Sequence, residues 1–333
     1  MKLLFTLDYE LFMGNHTGTV DCCLIAPLEK YLEAVKQYGL HFTIFVDAAY
    51  LCALRQHMDK YVCLRNDYHK IERHLQRLQH EGHDIQLHIH PQWYYSEFDG
   101  TKWRLDNEHY KLADMPHTDR INLVKESKYI LDNIIGKTTT IFRAGGFSAQ
   151  PTNMLTEIFD KCGLRTDSSV CPGEYYNSQY QQYDYRCICK NQIYHFDNDI
   201  CEPQSNGRYT ELPISMHKVS PVFHWQLTRV RLLTKLTKSS IHTPYGDGHS
   251  IRSTRTSIFH RLLHSSPIMT TIDGYKISFL KDAINEYARK GSEMMCILGH
   301  TKLATPYSIN KLHKICDYAK GQGHQFCTIS EVI

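Results

Sequence analysis

The feature that most constrains this chain is an alternation. Short apolar runs rich in strand formers recur along it, separated by longer stretches with helical spacing. Leu3 to Leu7 is the first run, His41 to Val46 the second, Ile85 to Ile89 the third and Thr138 to Phe142 the fourth. Ile25 to Tyr38 lies between the first two and sets Leu28, Leu32 and Val35 on one helical face. Asp67 to His80 reads as a charged helix ending near Gly82, and Ile121 to Ile135 as a helix with Leu123, Ile130 and Ile134 on its stripe. Met154 to Cys162, stopped by Gly163, is a further helix. Ile277 to Arg289, Met294 to Leu298, Asn310 to Ala319 and Gln325 to Ile329 then read helix, strand, helix, strand. Strands alternating with helices predict an α/β fold around a parallel sheet or barrel. The 333 residues suit one domain, 1–333, with irregular insertions at about 171–210 and 218–270.

Bulk properties narrow the classes. With 42% hydrophobic and 22% charged residues, the chain is neither disordered nor membrane-embedded in composition. A net charge of +3 gives no reason to expect a nucleic-acid partner. Twelve cysteines are scattered from Cys22 to Cys327 without the rhythm of a disulfide framework, so reduced thiols are expected. Cys187-Ile-Cys189 with Cys201 lacks the paired CxxC spacing of a zinc ribbon. The start, MKLLFTLDYE, lacks the apolar run of about 7–15 residues that a secretory signal needs, and no stretch approaches the roughly 20 apolar residues of a membrane span. A cytoplasmic location is the expectation.

Four places follow strand ends, where parallel α/β folds put their sites. Asp8-Tyr-Glu10 sets two carboxylates on one side of a strand, because the side-chain period is two. A divalent cation or a shared proton would relieve their repulsion; a solvated pair in a loop is the plain alternative. His88-Ile-His90 sets two imidazoles on one face in the same way, and two His with one carboxylate form a three-ligand zinc set that leaves a position for water. In Phe142-Arg-Ala-Gly-Gly-Phe147, Arg143 ends a strand and can orient a carboxylate. In Leu298-Gly-His300, His300 follows a strand and can donate a proton. Together these six residues could converge on one barrel mouth.

The order of these segments resembles the polysaccharide deacetylase (NodB homology) family. The matching stretches are Thr6-Leu-Asp8-Tyr-Glu10, Gly82 to Pro91 with His88 and His90, Phe142-Arg143-Ala-Gly, Thr166-Asp167-Ser-Ser and Leu298-Gly-His300. More narrowly it is similar to the divergent WbmS-like branch associated with O-antigen and surface-polysaccharide gene clusters. The resemblance implies a distorted (β/α)7 TIM-like barrel and hydrolysis of an acyl, N-acetyl, amide on an amino sugar. It further implies Glu10, His88 and His90 as ligands of a divalent metal, Zn²⁺ first with Mn²⁺, Fe²⁺ or Co²⁺ also suited. Asp8 would be general base, Arg143 would orient it, and His300 would be general acid. Tyr9 separates the two acids, the two His are one residue apart, and Arg143 precedes Ala-Gly, all departures from the family pattern. The roles of Asp8 and Glu10 are therefore open to exchange. The alternatives are a metal-independent amidase or glycosidase on a related barrel, and a non-catalytic sugar-binding protein.

Two further expectations concern the substrate. Trp93, Tyr94, Tyr95 and Trp103 follow the His pair and offer stacking surfaces for a sugar, or else pack beneath a loop. From Lys218 to Arg261 the second insertion holds Lys218, Arg229, Arg231, Lys235, Lys238, Arg252, Arg255 and Arg261 against Asp247 as its only acid. Phe223 to Lys238 can form a helix with Leu227, Val230, Leu233 and Leu236 beside these cations. Such a helix reads as membrane-surface or anion-seeking, suited to a diphosphate-linked substrate on a nucleotide or lipid carrier, or as a merely solvated face.

Overall fold

The computed structural model describes residues 1–189, 192–237, 240–251 and 261–333. The chain forms two compact units: Thr43–Ile214, and Met1–Phe42 together with Ser215–Ile333. The fold is α/β and rich in parallel strands.

In the Thr43–Ile214 unit six strands lie in the order Tyr194–Phe196, Tyr209–Glu211, Thr166–Asp167, Ile141–Ala144, Asp84–Ile89 and Thr43–Asp47. All neighbours are parallel except the first pair. Thr43–Asp47, Asp84–Ile89 and Ile141–Ala144 are buried at every position, which is why they appear in the sequence as near-continuous apolar runs and not as alternating ones. The register sets Asp47 opposite His88, His88 opposite Arg143, Phe142 opposite Asp167 and Asp167 opposite Glu211. Chemistry-bearing residues thus collect in one band at the strand ends. The helix Val62–His80 buries Leu64, Tyr68, Ile71, Leu75 and Leu78, spaced three or four apart. The helix Ala48–His57, absent from the sequence-based expectation, buries its first seven residues and has no polar stripe to betray it. The first insertion is not irregular throughout. It forms a hairpin, Tyr175–Asn177 with Gln182–Asp184, and returns to the sheet as Tyr209–Glu211.

In the other unit, Lys2–Tyr9 pairs in parallel with Met294–Ile297 and with Gln325–Cys327. Thr270 to Ile272 runs beside Leu298: the Ile272 N–H donates to Leu298 O at 2.9 Å, and the Leu298 N–H to Thr270 O at 2.9 Å. The expected helix Ile25 to Tyr38 is shorter, Ala26–Val35, and tightens into a 3₁₀ turn before Gly39 ends it in the left-handed region. Tyr31, not Leu32, is the fully buried residue of its middle turn. The helix Pro306–Gly321 starts from a reciprocal cap in which the Ser308 N–H donates to Thr305 Oγ1 at 3.0 Å and the Thr305 N–H to Ser308 Oγ at 2.9 Å. The second insertion contributes a hairpin, Met216–Val219 with Ser266–Met269, and the helix Pro221–Thr237. Lys238, Arg252 and Arg255 lie outside the described residues. Among the described residues no helix is long and apolar enough to cross a membrane.

Candidate active site

In the unit that carries both chain ends, Asp8 and His300 bridge in parallel, and the Asp8 N–H donates to Gly299 O at 2.8 Å. The imidazole of His300 stands with Nε2 3.6 Å from Asp8 Oδ2 and 3.7 Å from Glu10 Oε1. Its other face is fixed by Asp273. Asp273 Oδ2 accepts from Nδ1 at 2.8 Å, and Oδ1 accepts the His300 backbone N–H at 2.8 Å. Burial works against a charged imidazole. Asp273 first, then Asp8 and Glu10, outweigh it and hold His300 above its ordinary pKa. Burial likewise works against the Asp273 carboxylate, but His300 and Lys276 bring it below its ordinary range. Ligand atoms of Asp8, Glu10 and His300 all lie within 4.8 Å of one another.

Gly299 makes this approach possible. A Cβ there would stand 2.6 Å from Ile272 Cγ1 and 2.8 Å from Leu7 Cδ2. A buried lysine completes the cluster: Lys302 Nζ lies 2.9 Å from Glu10 Oε1 and donates to Leu11 O at 2.7 Å. The loop after Glu10 is held from the second insertion. Asp247 Oδ1 accepts from the Thr19 N–H at 2.8 Å and Oδ2 from the Thr19 hydroxyl at 3.0 Å. The His249 N–H donates to His16 O at 2.8 Å, and the Gly246 N–H to Lys302 O at 3.3 Å. The only acid of the basic insertion is thus a clasp on the loop that follows Glu10.

In the Thr43–Ile214 unit the rings of His88 and His90 stand 4.9 Å apart at 86°. His88 Nδ1 donates to the Arg143 carbonyl at 2.7 Å, which presents Nε2 as the lone-pair nitrogen, the tautomer a metal ligand needs. Asp47 fixes the turn after the strand. Its carboxylate accepts the His90 N–H at 3.0 Å and the Trp93 indole N–H at 2.8 Å. Gly145 leaves room for the ring, since a Cβ there would meet His90 Nδ1 at 2.9 Å and Ile89 O at 2.5 Å. Arg143 is fully buried over Phe45, 3.9 Å from its ring, and donates from Nε to Ser168 O at 2.8 Å and from Nη2 to Ser168 Oγ at 3.0 Å.

Three residues of these clusters escaped the sequence: Asp273, Lys302 and Glu211. The carboxylate that partners His300 is Asp273. Asp167 instead accepts from the Ser169 N–H at 2.8 Å and its hydroxyl at 2.9 Å, and faces Glu211. Glu211 Oε1 accepts the Val170 N–H at 3.0 Å, while its buried Oε2 receives no N–H or hydroxyl donor. Burial, then the charge of Asp167, pushes Glu211 well above the carboxylate range. One proton shared by the pair would relieve the repulsion between the two carboxylates. Of the aromatics after the His pair, Trp93 and Trp103 pack beneath the loop against Tyr50, so they offer no sugar-stacking face; Tyr95 remains exposed. Among the described residues Cys187, Cys189 and Cys201 enter no cluster of metal-binding type.

No protein-family model and no curated protein sequence matches the chain. Solved structures do. A protein from Mycobacterium smegmatis assigned as a polysaccharide deacetylase superposes with TM-score 0.53 at 12% identity, covering 99% of this chain and 88% of its own. PuuE allantoinase gives TM-score 0.52 at 13% identity over the same shares. A protein from Pseudomonas aeruginosa PAO1, also assigned as a polysaccharide deacetylase, gives 0.52 at 13% identity, again over 99% and 88%. The chain thus has the fold of the polysaccharide deacetylases.

Proposed function

We propose that the chain is a metal-dependent amide hydrolase that removes an acyl group, N-acetyl in the first instance, from an amino sugar destined for a surface polysaccharide such as O-antigen, in the cytoplasm. The observation that carries this is His300, a half-buried imidazole with its pKa raised, set between Asp273 on one nitrogen and Asp8 and Glu10 facing the other. That is the arrangement of a general acid beside a carboxylate base. Glu10, His88 and His90 would hold the divalent ion, Zn²⁺ before Mn²⁺, Fe²⁺ or Co²⁺. The Nε2-presenting tautomer of His88 and the Lys302 contact on Glu10 fit ligands supported from behind. Such an ion supplies Lewis acidity to water and to the acyl carbonyl. Asp8 takes the water proton, Arg143 orients Asp8, and His300 passes its Nε2 proton to the leaving amine while Asp273 keeps the ring aimed. A glycosidase based on Asp8 and Glu10 fits less well. Their oxygens approach more closely than the roughly 5–9.5 Å such pairs need, and both acids sit at the end of one strand.

The test joins metal analysis to mass-spectrometric turnover of acetylated amino sugars. His88→Ala and His90→Ala should each lose most bound metal and nearly all turnover with unchanged far-UV circular dichroism. Full metal occupancy in both would refute the ligand assignment. Asp8→Asn should keep metal and lose turnover, whereas Glu10→Gln should lose metal; the opposite pattern would exchange their roles.

A further inference from the structure

A cavity of about 550 Å³ opens beside the carboxylate that holds His300. One wall is the helix Pro221–Thr237, which contributes Leu227, Val230, Arg231 and Lys235; Asp273 and Lys276 stand on another. Its charge is one-sided. Among the described residues the only carboxylate in the lining, Asp273, is committed to His300 by two bonds of 2.8 Å. Among the described residues neither Arg231, Lys235 nor Lys276 has a carboxylate within ion-pair distance. Burial and then the charge of Arg261 depress Arg231. Lys276 is depressed by burial, and then by Arg231 and Arg261, despite the opposing pull of Asp273. Lys276 is half-buried and Arg231 and Lys235 are exposed at the rim; like charges gathered there repel one another unless an anion joins them. His242, also in the lining, has a buried Nδ1 without a hydrogen-bond partner. Beside the cations Leu227 and Val230 form an apolar strip, and Leu232, Leu233 and Leu236 of the same helix are exposed.

We infer that this cavity binds the diphosphate of a carrier-linked substrate, with Arg231, Lys235 and Lys276 on the phosphates and the Leu227–Val230 strip on the attached group. A diphosphate carries the two to three negative charges that three cations match, and the guanidinium of Arg231 adds bidentate geometry to charge. The volume lies within the 300–1,000 Å³ typical of small-molecule sites, enough for a diphosphate and part of what it carries. This deepens the deacetylase proposal and rests on it only for the identity of the rest of the substrate. Binding itself requires no turnover.

The test is calorimetric titration of the full chain with inorganic pyrophosphate, UDP and farnesyl diphosphate. All three should bind the wild type, more weakly as salt rises. Arg231→Ala and Lys276→Ala should each weaken pyrophosphate on the order of tenfold, the scale of a lost charge-assisted bond, while Lys320→Ala on an exposed helix end should leave it unchanged. Farnesyl diphosphate binding more tightly than UDP would support a lipid carrier, and the reverse a nucleotide carrier. Failure of pyrophosphate to bind, or equal affinity in the Arg231, Lys276 and Lys320 variants, would overturn the site. A deacetylase failure would show separately, as absence of turnover in a protein that still binds diphosphate.

Discussion

The buried pair Asp167–Glu211 makes a prediction whose sign is fixed. Glu211 is fully buried, accepts the Val170 N–H on Oε1, and aims a donor-less Oε2 at Asp167. Its folded pKa is therefore raised well above the unfolded value near 4.3. A raised carboxyl contributes its full stability only below the unfolded pKa. As pH climbs from there toward the folded pKa, the native state holds a proton that the unfolded state has lost, and stability falls by about 1.4 kcal/mol per pH unit. Glu211→Gln keeps the shape, keeps an acceptor for Val170, and supplies a permanent N–H for Asp167, so it removes the proton and its pH dependence together. Urea unfolding of both proteins from pH 5 to pH 8 should show the variant gaining on the wild type with rising pH, by roughly 2–3 kcal/mol over the first two units while Glu211 stays protonated. Glu211→Ala should instead be less stable than Glu211→Gln at every pH, because it strands the Val170 N–H at about 1–3 kcal/mol. A Gln-minus-wild-type difference that is flat with pH would mean that Glu211 is ionised in the fold, and the single-proton description would be wrong.

Two further outcomes follow from the other unit. Asp273→Asn should lower kcat on the order of 10- to 100-fold, leaving KM and metal content little changed, since it removes the charge from two bonds to His300; an unchanged kcat would remove Asp273 as a positioning residue. Gly299→Ala should cost about 1–3 kcal/mol in a thermal melt and depress turnover, because the new methyl meets Ile272 and Leu7 at well under contact distance; wild-type stability would contradict the packing at this turn.

What was legible in the sequence and what was not divides along physical lines. Asp8, Glu10, His88, His90, Arg143 and His300 lie in or just after strands of four residues or more, long enough to announce themselves. Asp273 follows Thr270 to Ile272, joined to Leu298 by a few ladder bonds and too short to show a period. Glu211 ends a three-residue strand reached through a long insertion, where no local pattern indicates a return to the sheet. Lys302 reads as a surface cation in a turn, and only Glu10 and the Leu11 carbonyl explain its burial. The helix Ala48–His57 failed for the opposite reason: apolar nearly all round, it offers no amphipathic contrast. The basic helix Pro221–Thr237 was visible, but which of its cations face a cavity was not, because the opposing wall lies about forty residues further along the chain.

The discontinuity of one unit has a consequence for how the molecule is made. Thr43–Ile214 is a single stretch of chain, so its contacts can close while synthesis continues. Lys2–Tyr9 emerges before it, yet the pairing of that strand with Met294–Ile297 and Gln325–Cys327 must wait until those residues appear. The clasp of Thr19 on Asp247, 228 residues apart, closes a loop of similar span. Loop closure at such separation is paid in entropy before any contact repays it, which places it late in folding. During translation the segment with Asp8 and Glu10 is therefore the first site element to leave the ribosome and among the last to be fixed, and its acids acquire their orientation only after His300 and Lys302 have emerged.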